Sequence, residues 1–240
     1  MKNATTQVDG ASSFLLPTTL VAPPIWRYPR QFSKFFHMLW LHGKAKFECL
    51  FSLAGFKFAS CPKPFVTRPR FKAQRSSAIP TAKALHIRMS ESLAAGDRET
   101  LRTICTPELY KTLAGVIDSR PKGVRTEWEL VKYDQTWYYP RLADWRVAVI
   151  PRPSGPMRTL KQAVVSISSV QRIARYDDTK GGVKVEGSER VRHMREHIVL
   201  QADIDDKTYQ HGPWKIWGTV PEVTYESYLD ELANFKAASA

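Results

Sequence analysis

Lys161-Gln162-Ala163-Val164-Val165-Ser166-Ile167-Ser168-Ser169-Val170 is the stretch on which the fold turns. Ala163, Val165 and Ile167 alternate with their neighbours, the two-residue period of a strand and not the 3.6-residue period of a helix. The phase slips at Ser168-Ser169, and such a slip predicts a bulge. Toward the N-terminus, Trp145, Val147 and Val149 alternate in the same way before Pro151. Toward the C-terminus, Met194, Ile198, Leu200 and Ile204 line one side of a strand whose other side carries His193, Arg195 and His197. Trp214, Ile216 and Val220 line the next. Four or five strand segments, separated by Pro and Gly turns, thus run from Arg125 onward.

Before Arg125 the period is helical. Thr81 precedes Ala84, Leu85, Arg88, Met89 and Leu93, and Ala95-Gly96-Asp97 closes that helix. Thr106-Pro107-Glu108 sets a hydroxyl N-cap, a first-turn proline and an acid at the positive helix end ahead of Leu109, Leu113, Val116 and Ile117. Arg120-Pro121-Lys122-Gly123 ends it, and Tyr225, Tyr228, Leu229 and Leu232 predict a short terminal helix. Helices first and antiparallel strands afterwards is the α+β order, with N-terminal helices packed on one face of a curved antiparallel sheet. This body occupies residues 81–240.

The chain has 240 residues, of which 43% are hydrophobic and 25% charged, which excludes a wholly disordered chain, a collagen-like fibre and a disulfide-dense miniprotein. Lys and Arg total 36 against 23 Asp and Glu, a formal charge of +13. The excess is concentrated. Residues 1–80 hold 12 Lys and Arg against only Asp9 and Glu48, a balance of +10, while the rest carries +3. Such a basic arm favours an anionic partner, nucleic acid or an acidic lipid surface. Cys49, Cys61 and Cys105 are odd in number and at no metal-ligand spacing, which points to free thiols in a reducing compartment.

No run reaches the roughly 18 apolar residues of a membrane span; the longest charge-free stretch among the aromatic segments, Phe35–Gly43, has nine. The Ser/Thr-rich start lacks the charged opening and apolar core of a secretory signal, and the acid-poor sequence through Arg27, Arg30 and Lys34 has the bias of a mitochondrial transit region.

Within the arm, residues 1–24 end in Pro23-Pro24 and read as extended. Phe32, Phe35, Phe36, Leu39 and Trp40 then recur at helical spacing, with Gly43 as a stop. Phe47, Leu50, Phe51, Ala54 and Phe58 form a second stripe, with Lys44, Lys46 and Lys57 around it. Two short, basic, aromatic helices can lie in a membrane interface or dock on protein or RNA; packing on the body as ordinary core helices is the alternative. Lys63, Arg68, Arg70, Lys72 and Arg75 follow, interleaved with prolines, Phe65 and Phe71. That pattern suits an extended segment along phosphates with bases stacked on Phe, or a solvated linker.

Catalytic signatures are weak. His193-Met194-Arg195-Glu196-His197 fits H-x-x-E-H, but zinc-protease chemistry needs those histidines one helical turn apart, and this segment alternates as a strand. Asp177-Asp178, Asp203, Asp205 and Asp206 read as turn carboxylates. No P-loop, G-x-S-x-G or dinucleotide glycine fingerprint is present. The expectation is a binding protein with no catalysis, no cofactor, no metal and no small-molecule substrate.

The run from Ala82 through Leu85-His86-Ile87-Arg88-Met89 and Ala95-Gly96-Asp97 to Arg102, continued by Cys105-Thr106-Pro107-Glu108-Leu109 and closed by Gly212-Pro213-Trp214-Lys215-Ile216-Trp217-Gly218-Thr219-Val220, resembles a known domain. It is shared by subunit 44 of the translocase of the inner membrane and by mitochondrial large-subunit ribosomal protein forty-five with its fungal ribosome-receptor relatives. The resemblance covers residues 80–221, roughly two thirds of the chain. It implies a cone-shaped fold like that of the nuclear-transport-factor-two superfamily, and the mitochondrial matrix. The Trp214-Lys215-Ile216-Trp217 ending is closer to the ribosomal branch. That branch implies a place in the large subunit beside the polypeptide exit, with rRNA, large-subunit proteins, the inner-membrane surface and its insertion machinery as partners, peripheral and not spanning. A preprotein-import scaffold and a small-ligand enzyme in the cone are the alternatives. The arm lies outside the resemblance, so its contacts are argued from chemistry alone: Arg27, Arg30, Lys34, Lys44, Lys46, Lys63, Arg68, Arg70, Lys72 and Arg75 for rRNA or lipid phosphates, and Phe32, Phe35, Phe36, Leu39, Trp40, Phe47, Leu50 and Phe51 for membrane or partner.

Overall fold

The computed structural model describes residues 15–16, 19–62, 67–150 and 157–239. Four helices come first: α1 (Phe32–Ala59), α2 (Ala78–Ala95), α3 (Arg98–Ile104) and α4 (Pro107–Asp118). Six strands follow, β1 (Val124–Tyr133), β2 (Arg141–Ile150), β3 (Arg158–Asp177), β4 (Val183–Lys184), β5 (Arg190–Ile204) and β6 (Lys215–Thr219), before a terminal helix α5 (Tyr225–Ser239). The strands form one antiparallel sheet in which β1, β3, β5 and β6 are successive neighbours. On one edge of β3, β2 pairs with residues 158–166 and β1 with residues 169–177. The α+β architecture expected from the order of periods is the one observed.

Strand β3 is the spine, and residues 159–171 are buried on both faces. On the helix side, Ala163, Val165 and Ile167 pack with Trp145, Ile198, Leu200 and Ile216 beneath Ala78 and Ala82 of α2 and Leu53 of α1. On the opposite face, Val164 and Val199 pack with Ala143 and with Val21 of the N-terminal segment. This double burial explains the slip at Ser168-Ser169 without a bulge. The register between β3 and β5 runs unbroken from Thr159 opposite Ile204 to Ile173 opposite Arg190. The irregularities lie in the partners, between Leu130 and Lys132 in β1 and between Leu142 and Asp144 in β2.

The expected pair of short arm helices is a single helix of 28 residues. A glycine inside a helix costs only about 1 kcal/mol relative to alanine, and Gly43 is outweighed by one continuous buried stripe, Met38, Leu41, Ala45, Cys49 and Leu53, on either side of it. This stripe lies along β2, where the Lys46 ammonium donates to the Ala143 carbonyl, the Cys49 thiol to that of Trp145, and the Ser52 hydroxyl to that of Val147. Residues 15–16 and 19–28 are tied to the sheet too. The Leu16 amide donates to Gln162 Oε1 at 2.9 Å, and the Leu20 amide to the buried Asp144 carboxylate at 3.1 Å.

Helix α2 begins at Ala78, before the expected Thr81, and ends as expected. Gly96 adopts φ +76°, where a side chain would be strained, and the amides of Gly96 and Asp97 return to the carbonyls of Leu93 and Ser92. Asp97 then caps α3 through the Thr100 amide at 3.1 Å, so one residue closes one helix and opens a second that the periodicity did not reveal. Thr106 is extended at the entry to α4, yet its buried hydroxyl makes no cap bond; its amide instead donates to the Ile216 carbonyl at 2.9 Å, tying α4 to β6.

The H-x-x-E-H string lies on strand β5, as its alternation predicted. His197, however, is not on an open face with His193 and Arg195. It is buried, with Nδ1 2.7 Å from Ser166 Oγ, and burial lowers its pKa. Of the acids read as turn residues, Asp177 caps the turn at Thr179 and Asp205 the turn at Thr208.

Candidate functional site

Helix α1 has two apolar faces. One is the stripe buried against β2. The other carries Phe32, Phe36, Leu39, Trp40, Phe47, Leu50, Phe51 and Phe58, all exposed, with Phe32 at 82% and Phe51 at 72% of their full exposure. These are the residues of the two predicted stripes, which therefore face outward and do not supply the core. Phe35 is the exception, half-buried against Tyr28 with ring centres 5.7 Å apart. At 1.5 Å per residue the helix is about 42 Å long. Among the described residues no helix is long and apolar enough to cross a membrane.

Exposed apolar side chains gathered along one helix face in this way are uncommon on the surface of a monomer. Each buried Phe or Leu gains about 1.5–3 kcal/mol, so covering six of them would yield about 9–18 kcal/mol at most before the costs of association. A second aromatic group, unreachable from periodicity, stands near the start of the helix. Trp26 lies 5.3 Å from Trp137 and 5.5 Å from Tyr138, and Trp137 is 84% exposed. These residues are more than a hundred positions apart in the sequence, so no local signal joins them.

The cations of the arm divide into engaged and open groups. Arg27 is bound to Glu222 at 2.7 Å, and Tyr139 Oη donates to the same carboxylate at 3.2 Å. Lys34 lies 3.4 Å from Glu226. Lys44 lies 3.9 Å from Glu48 and 5.5 Å from the Trp40 ring centre. Lys46 turns inward, and burial lowers its pKa. Arg30, Arg68, Arg70, Lys72 and Arg75 are exposed. Arg70 and Lys72 line a cavity of about 210 Å³ with Gln74 and His211. Lys63 and the neighbouring Phe65 lie outside the described residues, as does the side chain of Leu232. Phe71, expected as a stacking platform, is buried in the core 5.3 Å from Phe56 and cannot meet a base.

Elsewhere, His86 is buried on the inner face of α2 with Nε2 3.1 Å from Glu196, whose other partner is the Gln171 amide at 2.7 Å. Tyr133 Oη lies 3.0 Å from His86 Nδ1, and burial pushes the phenol up to about 12. These groups satisfy one another. Among the described residues no three His, Cys, Asp or Glu side chains converge to hold a metal ion. The buried Cys105 thiol is pushed up to about 11 by desolvation, far from a reactive thiolate.

Among curated proteins no relative matches the sequence. Among solved structures, the intermembrane space region of the chloroplast protein ARC6 is similar, at 13% identity and a TM-score of 0.32, covering 59% of this chain and 94% of that one. The profile of the MBA1-like protein family matches residues 11–235, taking in the N-terminal segment, α1 and the whole sheet. The chain thus belongs to the MBA1-like protein family, the mitochondrial ribosome-associated family that the sequence of its body resembles.

Proposed function

We propose that the protein is a component of the mitochondrial large ribosomal subunit near the polypeptide exit, on the matrix side, and helps hold the ribosome to the inner membrane for co-translational insertion. One observation carries this reading beyond family membership. Helix α1 is locked to the sheet on one side and exposes a continuous aromatic face on the other. An apolar helix face is normally buried, so the outer face expects a second, apolar surface. Aromatic side chains with lysines at the margin suit the interface of an anionic bilayer. The open cations Arg30, Arg68, Arg70, Lys72 and Arg75 supply the charge to neutralise rRNA phosphates. On this reading the protein binds and does not catalyse.

The experiment is sedimentation of lysed mitochondria on sucrose gradients at low and high salt, followed beside a large-subunit marker. Co-migration at both salts supports an integral subunit, and loss only at high salt a receptor held by phosphate contacts. Sedimentation away from ribosomes at both salts would overturn the proposal.

A further inference from the structure

Strand β5 is longer than the partners on one of its edges. Along one edge β3 pairs with it from Arg190 to Ile204; along the other, β6 covers only Ile198 to Gln201. The Val220 amide donates to the His197 carbonyl at 3.0 Å, so the backbone of His197 points away from β3. The two-residue alternation then sends the N–H and C=O groups of Val191, His193 and Arg195 to the same open side. Residues 190–195 are exposed, and nothing among the described residues pairs with that edge.

The charge on this edge selects the partner. Arg190, Arg192 and Arg195 form no ion pair among the described residues, whereas the nearby Arg172 is held by both Glu129 and Glu189. His193 lies 3.7 Å from Asp134 and stays exposed. Arginines on an open strand oppose pairing with a second copy of this chain, which would set like charges side by side. An RNA strand would answer the arginines but offers no backbone ladder for the open N–H and C=O groups.

We propose that the open edge of β5 receives an extended acidic polypeptide segment as an added strand. Its backbone pairs with Val191, His193 and Arg195, and its carboxylates meet Arg190, Arg192 and Arg195. This site is separate from the outer face of α1, and its test does not depend on ribosome binding.

The test uses the full chain and a labelled decapeptide of glutamate and valine, with a lysine and valine decapeptide and a uridine decanucleotide as comparators. The acidic peptide is expected to bind, the basic one to fail, and amide exchange at Val191, His193 and Arg195 to slow at least about tenfold on binding. R190E combined with R192E should weaken binding about tenfold or more. H193P removes an N–H that β3 does not use and should abolish binding without loss of the folded state; if it fails to fold, the double reversal decides. Peptide binding that leaves these amides unprotected, survives the double reversal, or is displaced by the decanucleotide would overturn the proposal.

Discussion

The ammonium of Lys161 lies 4.6 Å from the centre of the Trp145 ring, on a side chain that is wholly buried. The centre of the Trp214 ring is 4.8 Å away, and Nζ has no hydrogen-bond partner among the described residues. Cation–π attraction offsets part of the desolvation, but burial still pulls the amine down to about 8.

This predicts a specific pH dependence. Above about pH 8 the folded chain releases the Lys161 proton, while the unfolded chain keeps it up to the ordinary value of 10.5. The unfolded state binds more protons across that window, so stability rises with pH through it. K161M should stabilise the protein at pH 7 by about 2–3 kcal/mol. It should also flatten this lysine's contribution to the rise in Tm between pH 8 and 10, as thermal unfolding at several pH values would show.

The two faces of α1 should respond oppositely to substitution. Replacing Phe36, Trp40 and Phe47 with Gln together should leave Tm nearly unchanged, because all three are exposed. Flotation with phosphatidylcholine vesicles containing an anionic lipid should fall about tenfold or more, given the apolar area removed. L41A, on the buried stripe, should cost about 2–4 kcal/mol. Equal loss of stability from both changes would show that the aromatic face is packed internally.

Asp144 holds the N-terminal segment down. Its carboxylate accepts from the Leu20 amide at 3.1 Å, the Trp145 amide at 2.8 Å and Arg146 Nε at 2.9 Å. D144A leaves these donors without their acceptor and should cost about 2–4 kcal/mol. Limited proteolysis should then cut within residues 19–30 before global unfolding.

Gly123 is a backbone constraint before β1. It has φ +78°, and a Cβ there would stand 2.5 Å from Thr179 Cγ2. G123A should cost about 1–3 kcal/mol. Adding T179S, which removes that methyl but keeps the hydroxyl on Asp177, should recover part of it in a double-mutant cycle of chemical denaturation.

Much of the architecture was legible because periodicity is local. The alternation of Trp145, Val147 and Val149 and the Ala95-Gly96-Asp97 stop each describe a few neighbouring residues, and the strand and the helix end both occur there. Gly43 shows where this fails. Its helix-breaking tendency is a local cost that packing on β2, far away in the chain, outweighs. The serines of β3 mislead for the same reason, since burial on both faces erases the alternation a half-exposed strand would show.

The candidate surface was half legible. Its residues could be named from helical spacing, but not the direction in which they point. By itself the sequence determined the element types, the α+β order, the basic arm and the family resemblance, because these are properties of composition and short-range period. Only the tertiary structure decided that the aromatic stripe of α1 is the outer one, that His197 and Phe71 are enclosed, that Trp26 meets Trp137, and that β5 keeps an open edge. Each depends on which elements meet across long separations in the chain, and that is fixed by burial and pairing in the assembled fold and not by any local pattern.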